Sequence, residues 1–306
     1  MVGVTEDILV FGNPISGLGR ALSIAQSVTE AAQGVGYNAR LYLEHPSALP
    51  DEWIPEDPAA VAVVIGGDGT LRSVVERLLR SATPARPMPQ ILTIPLGTAN
   101  LVAKHLHSKW KHNHVAGEVI HAIRSGHQRT LDIATANGRP MLAVGGVGFD
   151  AQVVHHLASN RRGPISHADY VLPTAMSIAG YRFHPLTITI DSQLVLKNTP
   201  AIAFVGNIPE YGAGFAVTPT ARSDDGELDV CILPCRNWQE LFELGCICAT
   251  GQQVGSERVI YQRARRVEIS ADTQVPVQID GDESGFTPVV FALLDQQLRF
   301  IVPPQM

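Results

Sequence analysis

The chain has 306 residues, 45% of them hydrophobic and 17% charged, a globular composition at odds with a disordered or staple-dependent protein. Lys plus Arg number 23 against 29 Asp plus Glu, a formal charge of −6, which argues against a broad basic surface for nucleic acid. No run approaches the roughly 18 apolar residues of a spanning helix, and Met1–Val10, with Glu6 and Asp7, lacks the basic and apolar regions of a cleavable leader, so a cytosolic location is expected. Cys231, Cys235, Cys246 and Cys248 form no CxxC pair and are expected to be apolar packing residues instead of zinc ligands.

In chain order, Ile8–Phe11 reads as a strand and Gly17–Gln33 as a helix, with Leu18, Leu22, Ala25, Val28 and Ala32 at helical spacing. Ala39–Leu43 and Val61–Ile65 read as strands. Leu71, Val74, Val75, Leu78 and Leu79 mark a second helix, Ile91–Ile94 a fourth strand, and another helix is expected near Thr98. Continuous apolar strands joined by amphipathic helices imply a parallel sheet covered on both faces. Beyond Gln128 short alternating strands dominate: Thr130–Thr135, Met141–Val144, Leu186–Ile190, Leu194–Lys197, Ala201–Val205, Leu228–Leu233, Val267–Ser270, Val275–Ile279, Val289–Leu293 and Leu298–Val302. They imply an antiparallel sandwich, interrupted by helices over about His167–Ala179 and Asn237–Gln252. The expected domains are therefore 1–126, α/β, and 127–306, a β-sandwich.

Three polar, glycine-bearing turns follow strands of the first domain: Asn13-Pro14-Ile15-Ser16-Gly17, Gly66-Gly67-Asp68-Gly69-Thr70-Leu71-Arg72 and Pro95-Leu96-Gly97-Thr98-Ala99-Asn100. Glycine lets backbone approach a ligand, and a helix start presents free N–H groups to phosphate. No lysine follows the second turn, so it is not a P-loop. Thr98 alone is also readable as a helix N-cap. Turns at the carboxyl ends of parallel strands converge on the crevice where open α/β sheets bind ligands.

With these turns the sequence resembles the diacylglycerol kinase catalytic-domain family, whose bacterial soluble lipid kinases are related to sphingosine and ceramide kinases. The likeness runs on through Gly148-Phe149-Asp150, Gly206-Asn207 with Tyr211-Gly212-Ala213-Gly214, Asp225-Gly226-Glu227-Leu228-Asp229-Val230 and Asp280-Gly281-Asp282. It implies that the α/β domain is nucleotide-binding and NAD-kinase-like, with a C-terminal antiparallel β-sandwich and ATP in a cleft between them. ATP contacts carry over to Asn13–Gly17, Gly66–Arg72 and Thr98. A magnesium ion carries over to the Asp225 carboxylate and the carbonyls of Arg222 and Glu227. Asp282 matches the family's proton acceptor, with Asp280 a second candidate and Glu283 a third. Asp68, an acid between glycines at a helix start, is counted with the catalytic residues. The sequence departs from the family's usual pattern at Arg72 and Leu101, and Asp282 stands where glutamate is usual.

Lys104–His114 holds three lysines, four histidines and Trp110 in an otherwise acidic chain. A membrane-facing patch with Trp110 at the interface is one reading and a solvated helix end the other. Arg161-Arg162 and Arg263, Arg265 and Arg266 are candidates to extend it. The expected function is an ATP- and magnesium-dependent lipid kinase, peripherally membrane-associated, acting on a hydroxyl of a diacylglycerol-, sphingosine- or ceramide-like lipid. The alternatives are an NAD kinase, which shares the Gly-Gly-Asp-Gly-Thr turn, and a lipid- or nucleotide-binding regulator without catalysis.

Overall fold

A computed structural model describes residues 7–49, 59–111, 114–159, 180–212 and 216–304. The chain forms two compact units, Met1–Leu131 with Leu298–Met306, and Asp132–Gln297. The first contains β1 (Asp7–Gly12), α1 (Arg20–Gly34), β2 (Asn38–Tyr42), β3 (Val61–Gly66), α2 (Asp68–Ser81), β4 (Gln90–Pro95), α3 (Leu101–His105) and α4 (Val115–Ser125). β5 (Gln128–Ala136) runs from the first unit into the second. The second continues with β6 (Arg139–Met141), β7 (Val144–Val147), α5 (Phe149–Ser159), β8 (Pro185–Ile190), β9 (Gln193–Gly206) and β10 (Leu228–Pro234). Then come α6 (Trp238–Ala249), β11 (Ile260–Ala264), β12 (Arg266–Ser270), β13 (Pro276–Ile279), β14 (Asp282–Phe286) and β15 (Val289–Ile301), whose last residues return to the first unit. The helix expected over His167–Ala179 lies outside the described residues, as do Arg161, Arg162, His112, Ala213 and Gly214.

The first unit is a parallel sheet in the order β2-β1-β3-β4, with Phe300 of β15 pairing Ile91 in the same sense. Every residue of β1 and β3 is buried. Alternation explains why both faces must be covered. Ile8, Val10, Val63, Ile65, Leu92 and Ile94 pack with Ala25, Val28 and Ala32 of α1 and Val119 of α4. The intervening Leu9, Phe11, Ala62 and Val64 are buried as well, and α2, which contacts β3, buries Leu71, Val74, Val75 and Leu78 at helical spacing. α4 was not expected, because Gly117 and His121 interrupt the apolar stripe of Val115, Val119, Ile120 and Ala122. From β1 the chain steps outward to β2 and then crosses back past β1 to β3 on its other side. A topological switch point therefore lies between β1 and β3.

The second unit is antiparallel. β9 pairs with β8 along its first half and with β7 and β10 along its second, so the strands expected at Leu194–Lys197 and Ala201–Val205 are one. Val289–Leu293 and Leu298–Val302 likewise merge into β15. Val147, Val205, Val230 and Val277 on one side share a core with Ile188, Val267 and Phe291 on the other. Met141–Val144, expected as one strand, instead divides between β6 and β7. The backbone N–H groups of Leu142, Ala143 and Val144 are taken by the Asp280 carboxylate. α5, β11 and β14 also went unanticipated. Cys231, Cys235 and Cys248 are buried, whereas Cys246 is exposed. Among the described residues no helix is long and apolar enough to cross a membrane.

Candidate active site

The turns after β1, β3 and β4 meet in the first unit, beside its switch point. Asn13 Nδ2 donates to Thr70 Oγ1 at 3.1 Å, which ties the first turn to the second. Asn13 Oδ1 in turn accepts the Ile15 N–H at 3.2 Å, and Ser16 N–H closes on Asn13 O at 2.9 Å. Pro14 and Ile15 stay exposed, Ile15 at 69%. Gly17 has φ +61° and packs so closely that an added Cβ would lie 3.2 Å from Leu96 Cβ. The second and third turns touch backbone to backbone. A Cβ on Gly97 would fall 2.6 Å from Gly67 Cα, so position 97 tolerates no side chain, and one on Gly67 would lie 3.1 Å from Gly97 Cα. Gly66 is restricted by Thr70, whose side chain an added Cβ would meet at 2.7 Å.

Asp68 opens α2, and its carboxylate accepts the N–H groups of Leu101 at 3.0 Å and Val102 at 3.3 Å. It therefore satisfies orphan donors at the start of α3, where Thr98 was the candidate cap. The residue preceding α3 is Asn100, at φ 49°, and its side-chain amide brackets Gly97 instead. A ligand is thus not the only demand on an acid at position 68. Burial raises the Asp68 carboxyl above the ordinary range, while the Leu101, Val102 and Asn100 amides and the Lys104 charge pull the other way. Arg72, expected among the ATP contacts, is buried on α2 with 5% exposure. Gly69 accepts the Ser73 hydroxyl at 2.8 Å, within the same helix.

In the second unit the Asp225-Gly226-Glu227 turn is held by an acid absent from the expected set. Asp132, 4% exposed, donates its N–H to Ser223 O at 2.6 Å and accepts the Gly226 N–H on its carboxylate at 2.8 Å. Gln297 Nε2 occupies the other carboxylate oxygen at 2.6 Å. Asp225 Oδ1 accepts the Glu227 N–H at 3.2 Å, and Arg263 lies 3.6 Å from Asp225 and 3.1 Å from Glu227. The donor set matching the family's magnesium, the Asp225 carboxylate with the carbonyls of Arg222 and Glu227, is all oxygen, as magnesium requires. Among the described residues no three His, Cys, Asp or Glu side chains form a metal cluster, and an ion held by those three oxygens would keep about half of its octahedral shell as water.

The Asp280-Gly281 pair forms a two-residue hairpin between β13 and β14, with φ of +52° and +80° and Ile279 opposite Asp282. Asp280 and Asp282 differ in what they do. Asp280 is buried, and its carboxylate receives three backbone N–H groups, from Leu142, Ala143 and Val144 at 2.9, 2.7 and 3.2 Å. Asp282 begins β14 and is half-buried, and Glu283 beside it is exposed. Behind the hairpin sits Asp150 at the start of α5, accepting on Oδ2 from Tyr211 Oη at 3.0 Å and Gln278 Nε2 at 3.1 Å. Burial pushes the Asp150 carboxyl up to about 6 against these hydrogen bonds. Sequence reading placed Asp150 and Tyr211 inside matched segments and Gln278 on the strand Val275–Ile279 but gave them no role.

The lysine- and histidine-rich segment differs from its expectation at one residue. Trp110 is 9% exposed, belongs to the first unit's core, and donates its indole N–H to Thr93 O at 2.8 Å and Ser108 Oγ at 3.1 Å. It does not face a membrane. Lys104, Lys109 and Lys111 are exposed. Arg263 pairs with Asp225 and Glu227, Arg265 with Asp295, and Arg266 with Glu268, so these arginines are engaged within their own unit.

Comparison with known proteins bears on both units. Residues 7–136 match the diacylglycerol kinase catalytic domain, and residues 143–302, more than half of the chain, match the YegS C-terminal NAD kinase beta sandwich-like domain. A diacylglycerol kinase of Staphylococcus carnosus (strain TM300) is 28% identical over 246 residues, covering 79% of this chain and 76% of that protein. Its counterpart in Staphylococcus aureus (strain JH9) is 27% identical over 249 residues, covering 79% and 74%. The crystal structure of a diacylglycerol kinase from Bacillus anthracis str. Sterne has the same fold, with a TM-score of 0.67 at 19% identity and 99% coverage of each chain. A further solved chain from that strain gives 0.72 at 21% identity, covering 99% of this chain and 98% of that one. Two domain matches, one on each unit, establish that this chain belongs to the diacylglycerol kinase catalytic-domain family.

Proposed function

We propose that the chain is an ATP- and magnesium-dependent lipid kinase that transfers the γ-phosphoryl group to a hydroxyl of a membrane lipid. The observation that carries the reading is the convergence of the three turns at the switch point of the first unit, with Asn13 bonded to Thr70 and Gly67 against Gly97. A polar, side-chain-poor corner at the N-terminus of a 14-residue helix suits a nucleotide's phosphates. Asn13–Gly17, Gly66–Thr70 and Thr98 are the residues proposed to hold them.

In the reaction the acceptor oxygen attacks the γ-phosphorus, the bond to the bridging oxygen of ADP breaks, and the acceptor's proton passes to a carboxylate. Asp282 is proposed as that carboxylate. The lone pairs of Asp280 are committed to the backbone of 142–144, which supports the assignment of Asp280 to structure. Magnesium, when bound, supplies positive charge to the phosphates, and Asp225 with the carbonyls of Arg222 and Glu227 would hold it. Contact with anionic headgroups through Lys104–His114 rests on the exposed lysines without Trp110.

Incubation with γ-labelled ATP and extracted total lipids, beside a parallel reaction with NAD, tests the proposal. Chelator-sensitive label in the lipid fraction is the expected result. Label on NAD instead identifies an NAD kinase, and label in neither leaves a binding protein without catalysis.

A further inference from the structure

The hairpin that carries Asp282 is fastened from behind by a buried polar chain. β7 and β13 pair with Gly146 directly opposite Gln278. A Cβ on Gly146 would collide with Asp150 Oδ2 and lie 2.8 Å from Gln278 Nε2, so the missing side chain is what lets the two groups meet. Gln278 is fully buried and uses both ends of its amide. Nε2 donates to Asp150 Oδ2 at 3.1 Å, and Oε1 accepts the Gly281 N–H at 3.0 Å. Tyr211 Oη donates to the same Asp150 oxygen, while Asp150 Oδ1 is buried without a hydrogen-bond partner.

We propose that Asp150 is a positioning residue for phosphoryl transfer: through the Gln278 amide it fixes the Gly281 N–H, the hairpin, and so the carboxylate of Asp282. The proposal rests on reading Asp282 as the proton acceptor. An ionised carboxylate only accepts hydrogen bonds. It therefore compels the NH2 end of Gln278 to face it and leaves the carbonyl end for Gly281. Without Asp150 the amide is free to turn end for end, which sets donor against donor at Gly281. Folding alone does not call for the clamp, because Asp-Gly between paired strands forms this turn unaided, and a carboxyl with a buried, unpartnered oxygen is costly to keep.

The test compares Asp150→Ala, Asp150→Asn and the nearly isosteric Gln278→Met with wild type, each checked for folding by circular dichroism. Two readouts are taken: hydrogen exchange at the Gly281 amide, and transfer from labelled ATP to dioleoylglycerol in mixed micelles. In Asp150→Ala and Gln278→Met the Gly281 amide should exchange about fivefold faster, as expected for one lost hydrogen bond. The same two variants should lose about 10²-fold in kcat, the scale for a reacting group displaced by about 1 Å, with KM for ATP unchanged. Asp150→Asn keeps an oxygen for Gln278 and should restore both readouts most of the way. Unchanged exchange in the folded Asp150→Ala and Gln278→Met variants overturns the clamp. Faster exchange at wild-type kcat overturns its role in positioning. If wild type transfers nothing to the lipid, the lipid-kinase reading falls and the exchange measurement still decides the clamp.

Discussion

Replacing Asp150 with asparagine should change how stability depends on pH more than it changes stability at any one pH. Burial lifts this carboxyl from a reference of 3.8 to about 6. Native protein therefore holds the proton more tightly than unfolded chain. Below about pH 3 both states are protonated and the group contributes no penalty. As pH rises through 4 to 6 the unfolded chain ionises first, so wild type loses stability across that window. A shift of about two units corresponds to about 3 kcal/mol, complete above pH 7. Asparagine cannot ionise and escapes this loss. It instead places an NH2 where Oδ1 now has no partner, a pH-independent cost of about 1–3 kcal/mol. The variant should be the less stable protein near pH 4.5 and should draw level with or pass wild type by pH 7.5. Urea titrations at half-unit pH steps, followed by tryptophan fluorescence, measure the difference. Trp238 reports locally, since it packs edge-on against Phe149 at 5.2 Å. Stability curves that stay parallel from pH 4 to 8 would refute the argument.

The remaining predictions concern the turns. Asp282→Asn should lower kcat by about 10²–10⁴-fold with little effect on ATP binding, and Asp282→Glu should be tolerated; a fully active Asp282→Asn removes it as proton acceptor. Asp280→Ala strands three backbone N–H groups, and a loss of less than about 2 kcal/mol in chemical denaturation would contradict its structural role. Asp68→Ala should cost about 0.5–2 kcal/mol as a lost cap in addition to any loss of activity, with Asp68→Asn milder; thermal melts showing no destabilisation in Asp68→Ala would mean the contact to α3 carries no weight. Magnesium should raise the melting temperature of wild type and not of Asp225→Ala, and an equal rise in both would place the ion elsewhere.

Where structure follows from neighbours along the chain, the sequence was readable. The strands of the first unit announce themselves as unbroken apolar runs, α2 as Leu71, Val74, Val75 and Leu78, and the three turns as glycines at strand ends. These features depend on periodicity and local backbone freedom, which any short window carries. α4 and α5 escaped because Gly117 and His121 dilute one stripe and α5 mixes polar with apolar residues throughout its length.

Partnership between distant polar groups was legible only in three dimensions. Asp150 meets Gln278 across 128 positions, Asp280 meets Leu142 across 138, and Asp132 meets Gly226 across 94. Each meeting depends on the register of pairing strands, and a slip of one residue turns every side chain to the opposite face. Composition marked Trp110 as surface in a run of cations, yet alternate residues of that run are buried, because Leu106, Ser108 and Trp110 all turn inward while Lys109 and Lys111 do not. Charge and motif thus identified which acids stand at the turns. Only packing decided which of them caps a helix and which gathers backbone amides.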